Sequence, residues 1–309
     1  MIGTITLNPS IDRNLRVLGL VKDDANRAQE VWETAGGKGI NVSKVLRELG
    51  APTRAYALLG GFAGDYLKEL ARSLDFPIVS IPVRGQTRIN TVITDIRDKT
   101  QTRISAPGPK VTPAEMRGLT RRLLAVRPRP FLWALGGSIA AGMRPEVYRD
   151  LILKLQAAGT PCILDTDDEA LRLGVQASPY MIKPNEFEMR RLCGRPLRSV
   201  ADHLGAARQI LKRGVRLAVV SLAAKGALFV TRDRAFHALA PEVPVRSNVG
   251  AGDSLIGGVA WGLWHKMTLE ESAKIGIAAS CSAVMREAPR LCEKRDIRAL
   301  VKRVRIRPF

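Results

Sequence analysis

The chain has 309 residues, of which 46% are hydrophobic and 25% charged, enough for one large α/β domain with a substantial core and too apolar for a disordered chain. Lys and Arg number 49 against 29 Asp and Glu, a net charge of +20 that is spread along the sequence and concentrated only at the C-terminal end, from Lys294 and Arg295 through Arg298, Lys302, Arg303, Arg305 and Arg307. No nucleic-acid-binding motif accompanies this charge, and phosphorylated substrates account for it more simply than a nucleic acid partner would.

The elements follow in chain order. Ile2–Leu7 reads as a strand ended by Asn8-Pro9, and Leu15–Thr34 as extended strands without helical period. After Gly36-Gly37-Lys38-Gly39, apolar residues at Val42, Val45, Leu46 and Leu49 give the spacing of an amphipathic helix that Gly50 closes. Arg54–Leu59 reads as a strand and Asp65–Leu74 as a helix. Further on, Phe131–Leu135, Pro161–Leu164, Tyr180–Ile182 and Leu217–Ser221 read as strands, while Pro145–Ala157, Glu186–Cys193 and Val200–Arg213 read as helices. Strands separated by helices imply a mostly parallel sheet covered on both faces. Ala25–Glu33 and Arg88–Ile104 break that rhythm as extended pieces with no helix between them, and suit a small β-sheet beside the main one. With no low-complexity linker and no internal repeat, one domain over 1–309 is expected, with lid segments near 12–35 and 86–107. Four cysteines without a CxxC pair, and three histidines, argue against zinc and a disulfide framework and for buried free thiols. The opening MIGTITLNPS is too short and polar for a signal peptide, and no apolar run reaches the length of about 18 residues that a membrane span needs, so a cytoplasmic location is expected.

Chemistry concentrates in Asn248-Val249-Gly250-Ala251-Gly252-Asp253-Ser254, ahead of an apolar stretch from Leu255 to Trp264 that should be a buried helix. Two glycines let the backbone turn tightly and present bare N–H groups at a helix N-terminus, where aligned dipoles attract phosphate. An anion site has no use for a carboxylate, so Asp253 points to a second task, accepting the proton of an attacking hydroxyl; an aspartate of ordinary pKa, about 4, is already ionised for it at neutral pH. A plain N-terminal Asp after a glycine turn is the competing reading. Gly36–Gly39 is a second glycine turn before a helix, but neither a GxxxxGK[ST] nor a GxGxxG loop. In Lys183-Pro184-Asn185-Glu186-Phe187-Glu188, Asn185 and Glu188 share a helix face and could hold hydrated Mg²⁺ through water, or simply cap a surface helix.

Together these segments resemble the PfkB carbohydrate kinase family, of ribokinase-like fold. The resemblance runs from Thr6 to about Cys292. It rests on TLNPSIDR at 6–13, GGKGIN at 36–41, TRIN at 87–90, GGS at 136–138, LDTDDEAL at 164–171, KPNEFE at 183–188, VSLAAKGA at 220–227 and GAGDS at 250–254, in that order. GGKGIN, TRIN and the APGP of 106–109 are most similar to the branch that phosphorylates ketohexose phosphates. The resemblance implies a Rossmann-like, mostly parallel sheet with helices on both faces and a small β-sheet lid, ATP and Mg²⁺ as co-substrate and metal, and a homodimer formed through the lid. It implies that Asp253 is the catalytic base and that the N–H groups of Gly250, Ala251 and Gly252 form the anion hole. It implies that Asp12 grips sugar hydroxyls beside Gly37, Asn41 and Ser138. Arg88 would hold the substrate's own phosphate, with Arg27, Lys38 and Arg103 as helpers. Asn185, Ser221, Gly226 and Gly252 would lie on the ATP side, and Glu188 with Asn185 on the Mg²⁺. The expected reaction converts fructose 1-phosphate to fructose 1,6-bisphosphate; tagatose 6-phosphate and fructose 6-phosphate are the alternative acceptors. A non-catalytic sugar-phosphate sensor on the same scaffold is the alternative of another class, and it would be expected to lose the base or the anion loop. Ala223 where the family has Gly, Ile139-Ala140-Ala141 after the GGS turn, and Glu287-Ala288 near the adenine side depart from the family pattern.

Overall fold

The computed structural model describes residues 1–287 and 290–309. In chain order it contains β1 (Ile2–Thr6), β2 (Ser10–Val17), β3 (Glu30–Gly36), α1 (Lys38–Glu48), β4 (Thr53–Leu59), α2 (Gly61–Ala71), β5 (Ile78–Pro82), β6 (Arg88–Asp95), β7 (Thr100–Ile104) and α3 (Pro113–Leu124). There follow β8 (Trp133–Gly136), α4 (Val147–Ala157), β9 (Cys162–Asp165), α5 (Asp168–Gly174), β10 (Met181–Ile182), α6 (Glu186–Cys193), α7 (Val200–Leu211), β11 (Leu217–Ser221), β12 (Ala227–Val230) and β13 (Ala235–Leu239). The last are α8 (Ala251–Trp264), α9 (Leu269–Val284), α10 (Lys294–Val301) and β14 (Arg305–Pro308).

The strands form a ten-stranded sheet in the order β14-β13-β12-β11-β10-β9-β8-β1-β4-β5 and a four-stranded sheet in the order β3-β2-β6-β7. From β5 to β11 the large sheet is parallel, and β12, β13 and β14 extend it as antiparallel hairpins. Its central strands β1, β8, β9 and β10 are buried along their whole length, as strands covered on both faces are. In β9, Cys162 and Leu164 pack into the core under α3, α4, α5, α6 and α7, while Ile163 between them packs into the core under α1, α8, α9 and α10. A third cluster, with Ile11, Ala35, Ile40 and Leu67, roots the small sheet against α1 and α2. α8 and α9 cross at glycines: a Cβ on Gly258 would lie 2.7 Å from the Cα of Gly276.

Where the structure departs from the sequence reading, glycine and register explain it. The helices expected at Ile40–Leu49 and Asp65–Leu74 begin earlier, at Lys38 and Gly61, and the second ends in a 3₁₀ turn over Arg72–Leu74. Their first turns carry glycines that break the apolar period, and Gly39 is needed there because a Cβ would stand 2.7 Å from the Ile5 carbonyl oxygen. The extended stretch Leu15–Thr34 is two strands joined by an exposed loop, so the segment expected over Ala25–Glu33 becomes strand only at Glu30. α3 and α9, which the sequence reading does not include, each open on a capping box, Thr112–Glu115 and Thr268–Glu271. Cys162, Cys281 and Cys292 are buried and Cys193 half-buried, all as free thiols. Among the described residues no helix is long and apolar enough to cross a membrane. The C-terminal basic run forms α10 and the edge strand β14, where exposed Arg305 and Arg307 make the edge a poor template for another strand.

Candidate active site

The carboxyl ends of the parallel strands open into one cleft of about 1000 Å³. Asn8 follows β1, Ser138 follows β8, Asp165 ends β9, Lys183 follows β10 and Ser221 ends β11, and all five line it. An open α/β sheet places its ligands there, because the strand ends and the helix N-termini that succeed them converge on the same crevice. The small sheet supplies the opposite wall through Asp12, Arg88, Gln101 and Arg103.

At the N-terminus of α8, Gly250 adopts a left-handed φ of 77° and the first intrahelical bond runs from the Ser254 N–H to the Gly250 carbonyl. The N–H groups of Ala251, Gly252 and Asp253 therefore have no partner within the helix. Asp253 is buried, and the Asn41 amide donates to its Oδ2 at 2.8 Å. Burial raises the Asp253 carboxyl above the ordinary carboxylate range and nearby Asp165 adds to this, against the pull of Lys38, Lys183 and the Asn41 bond. The aspartate of ordinary pKa expected from the sequence is thus corrected: tertiary packing tunes this group upward.

One face of α1 floors the cleft. Lys38 and Asn41, three residues apart, point to Asp165 and Asp253. The Lys38 ammonium lies 3.1 Å from Asp165 Oδ2 and the Lys183 ammonium 3.3 Å from Asp165 Oδ1, with Asp165 and Lys183 both buried. Burial would protonate Asp165, but the two lysines outweigh it and hold its carboxyl below the ordinary range. Burial likewise opposes the charge of Lys38, yet Asp165, Asp253 and Glu188 together drive its pKa upward. Lys44, one turn further along α1, donates to the Ala35 carbonyl at 2.5 Å, and desolvation pushes it down to about 8 against the opposing pull of Asp12 and Asp253.

On the small sheet, Asp12 and Asn90 are register partners, as are Ser10 and Arg88. Ser10 Oγ and the Asn90 amide donate to Asp12 Oδ1 at 2.8 and 2.9 Å, fixing the carboxylate, and a side chain at Gly36 would collide with its Oδ2. Arg88 donates to the Ala106 and Asn8 carbonyls at 3.0 and 2.9 Å while its buried Nε is without a partner. Burial lowers the Arg88 pKa, and the like charge of Arg103 adds to that against Asp12. Two guanidinium groups that repel one another across β6 and β7 are a pair that a dianion would relieve.

A profile of pfkB family carbohydrate kinases matches residues 2–295. The chain belongs to this family. It is 32% identical over 309 residues to the protein named 1-phosphofructokinase from Escherichia coli strain K12, covering all of this chain and 98% of that one. Among solved structures it resembles phosphofructokinase-2 from Escherichia coli, in complex with potassium at a TM-score of 0.94 and 30% identity, and in complex with fructose-6-phosphate at 0.92 and 29%. Each match covers 98% of both chains.

The kinase brings most of the residues singled out from the sequence into this one cleft: Asp12, Gly37, Lys38, Asn41, Arg88, Arg103, Ser138, Asn185, Glu188, Ser221, Gly250, Gly252 and Asp253 all line it, and Ala251 stands in the helix turn between its glycines. Two stand apart. Arg27 lies on the exposed loop between β2 and β3 and is not among the lining residues. Gly226, with φ 95°, turns the chain between β11 and β12, where a Cβ would meet the Ala238 carbonyl oxygen at 2.0 Å; its place is in the fold of the hairpin. Asn185 and Glu188 form a capping box, with Asn185 Oδ1 accepting from the Phe187 and Glu188 N–H groups and Glu188 Oε2 accepting from the Asn185 N–H. The capping alternative is therefore realised, and both residues still face the cleft. Burial raises the Glu188 carboxyl, against the pull of Lys183 and the Asn185 bond. Of the departures noted from the sequence, Ala288 lies outside the described residues. Asp165 and Lys183 sat in quoted motifs without an assigned role; their place immediately at strand carboxyl ends was the signal.

Proposed function

We propose that this kinase transfers the γ-phosphoryl group of ATP to a hydroxyl of a ketohexose phosphate, fructose 1-phosphate first, with fructose 6-phosphate and tagatose 6-phosphate as alternatives. One observation carries the reading: Asp12, Arg88 and Arg103 on the small sheet line the same cleft as Asp253 on an open helix N-terminus. The relatives named 1-phosphofructokinase and the neighbour in complex with fructose-6-phosphate support the acceptor class.

In this reading Arg88 and Arg103 bind the acceptor's own phosphate through charge-assisted N–H donors. Asp12, held by Ser10 and Asn90, accepts from sugar hydroxyls, with Gly37 and Ser138 beside it. Asp253, oriented by Asn41, takes the proton of the attacking hydroxyl, and the N–H groups at Gly250, Ala251 and Gly252 meet charge developing on the transferred group. Asn185 and Ser221 flank the nucleotide. Mg²⁺ fits beside Glu188, whose carboxylate lines the cleft, because this ion takes one or two carboxylates and completes its shell with phosphates and water. Glu188 would hold it with Asn185 nearby, and it would neutralise phosphate charge. The small sheet acts as a lid on a single domain: Gln101 accepts from Ser247 Oγ at 3.4 Å and Arg16 pairs with Glu287, both linking it to the body across the cleft mouth. Its outer face exposes Val31 and Ile104, each 59% accessible, which supports a homodimer through the lid.

A coupled ADP-release assay over the three phosphosugars and free fructose tests the reading. One of the phosphosugars should exceed free fructose in kcat/KM by at least about tenfold. Equal use of free fructose would refute the phosphate clamp, and acceptor binding without ADP release would favour a non-catalytic sugar-phosphate binder.

A further inference from the structure

Asp165 is an unusual buried carboxylate. Such a group ordinarily accepts several N–H or O–H bonds, because an ionised side chain loses its hydration on burial. Among the described residues neither of its oxygens has a well-aligned hydrogen bond; what stands against them are two ammonium groups, Lys38 at 3.1 Å and Lys183 at 3.3 Å. An ammonium carries three donors, so each lysine keeps N–H groups free for another acceptor.

The two lysines come from different elements, Lys38 from α1 and Lys183 from the segment after β10, and meet at one carboxylate. Lys183 stands against the helix turn that follows Gly250: a Cβ on Gly252 would lie 3.1 Å from its ammonium nitrogen. Gly252 thus does more than ease a turn, since any side chain there would crowd the cation. Lys38 lies within electrostatic reach of both Asp253 and Glu188, the carboxylates at the acceptor and nucleotide ends of the cleft. Both lysines, the α8 N-terminus, the proposed base Asp253 and the proposed metal carboxylate Glu188 line the same cleft. In a phosphoryl transfer the group in flight passes between acceptor and nucleotide within it.

We propose that Lys38 and Lys183 clamp the transferred phosphoryl group, and that Asp165 is the positioning residue that holds both ammonium groups in its path. The proposal rests on the kinase reading above and moves Lys38 away from the acceptor's phosphate, where the sequence had put it. The cleft then carries two cation pairs with different tasks. Arg88 and Arg103, on the small sheet, hold a phosphate that is the same before and after the reaction, so they contribute to binding. Lys38 and Lys183, on the rigid core, meet oxygens whose charge and geometry change during transfer, so they contribute to rate. Lysine suits this second task because a compact point charge follows a group that moves, whereas a guanidinium fork favours one planar geometry. Asp165 offsets the repulsion between the ammonium groups when no phosphate is present, and leaves the cluster one net positive charge with which to attract one.

The test compares binding and turnover. Calorimetry with Mg²⁺ measures the dissociation constants of ADP and of the non-hydrolysable triphosphate AMP-PNP; no acceptor is needed, so failure of the acceptor assignment leaves this arm intact. The wild-type chain should prefer AMP-PNP. Lys38→Met and Lys183→Met should each cut that preference at least tenfold while changing ADP affinity less than threefold. In turnover, Lys38→Met should lower kcat at least 100-fold with the phosphosugar KM within threefold, and Asp165→Asn should lower kcat about tenfold with the same KM pattern. Lys38→Met retains the stem and leaves Asp165 paired with Lys183; should it fail to fold, Lys38→Gln and Asp165→Asn carry the same comparison. An unchanged AMP-PNP preference, or a raised phosphosugar KM with kcat intact, would overturn the clamp and return Lys38 to the acceptor's phosphate. If no ketohexose phosphate is turned over by the wild type, the acceptor assignment fails while the binding ratio still decides the clamp.

Discussion

Replacing Asp253 with Asn separates chemistry from folding at the centre of the cleft. Asn keeps the size of the side chain, and its Oδ1 can accept the 2.8 Å bond from the Asn41 amide, but it cannot take a proton from a hydroxyl. Removal of a general base costs about 10²–10⁴-fold in kcat, which is about 3–5 kcal/mol at roughly 1.4 kcal/mol per decade. Stability should move the other way or not at all. Because burial raises the Asp253 carboxyl, the folded chain holds that proton more tightly than the unfolded chain does. Its stabilising contribution is present at low pH and is lost as pH rises through the folded pKa, so at neutral pH the ionised carboxylate is a cost to the fold that Asn removes. The expected result is a collapse of kcat by ADP release, an unchanged or higher Tm by scanning calorimetry, and a phosphosugar dissociation constant within threefold of wild type. A variant that keeps more than about a tenth of wild-type kcat would refute the assignment of the base, and a loss of Tm in step with activity would assign Asp253 to structure instead.

Further expectations follow from the same geometry. Since Asp253 must be ionised to act, activity should fall with acid through a pKa above the aspartate value of about 3.9, and a pH–kcat/KM profile flat down to that value would contradict the burial effect. Arg88→Ala should raise the phosphosugar KM about 100-fold, on the order of 2–3 kcal/mol for a lost charged hydrogen bond, and leave the ATP KM nearly unchanged; a shift confined to ATP would move Arg88 to the nucleotide. Glu188→Gln should raise the Mg²⁺ concentration needed for half-maximal rate, and an unchanged Mg²⁺ titration would leave Glu188 with its capping bond alone. Sedimentation should show a dimer at micromolar concentration that Ile104→Asp dissociates, whereas a fully active wild-type monomer would refute the dimer.

The amino-acid sequence by itself determined the class of the fold and the sites of greatest chemical weight. Short extended segments, helices of regular period between them and glycines ahead of α1 and α8 are local signals, because strand propensity, helix amphipathicity and tight turns act over a few residues. Asp253, Asp12 and Arg88 were legible for the same reason, each inside a short motif. The tertiary structure decided what depends on atoms far apart in the chain. The raised carboxyl of Asp253 comes from burial and from Asp165 on β9, against the opposing pull of Lys38, Asn41 and Lys183 from elsewhere in the chain. Arg27 and Gly226 fit their motifs, but the chain carries the first onto an exposed loop and uses the second to turn a hairpin. Asp165 and Lys183 sit at the ends of adjacent strands, both buried, and join half-buried Lys38, more than 120 residues away, in one ion cluster. No local pattern encodes such a cluster, because the attraction that offsets the cost of burying Asp165 and Lys183 exists only once the packed sheet brings these charges within 3.3 Å of one another.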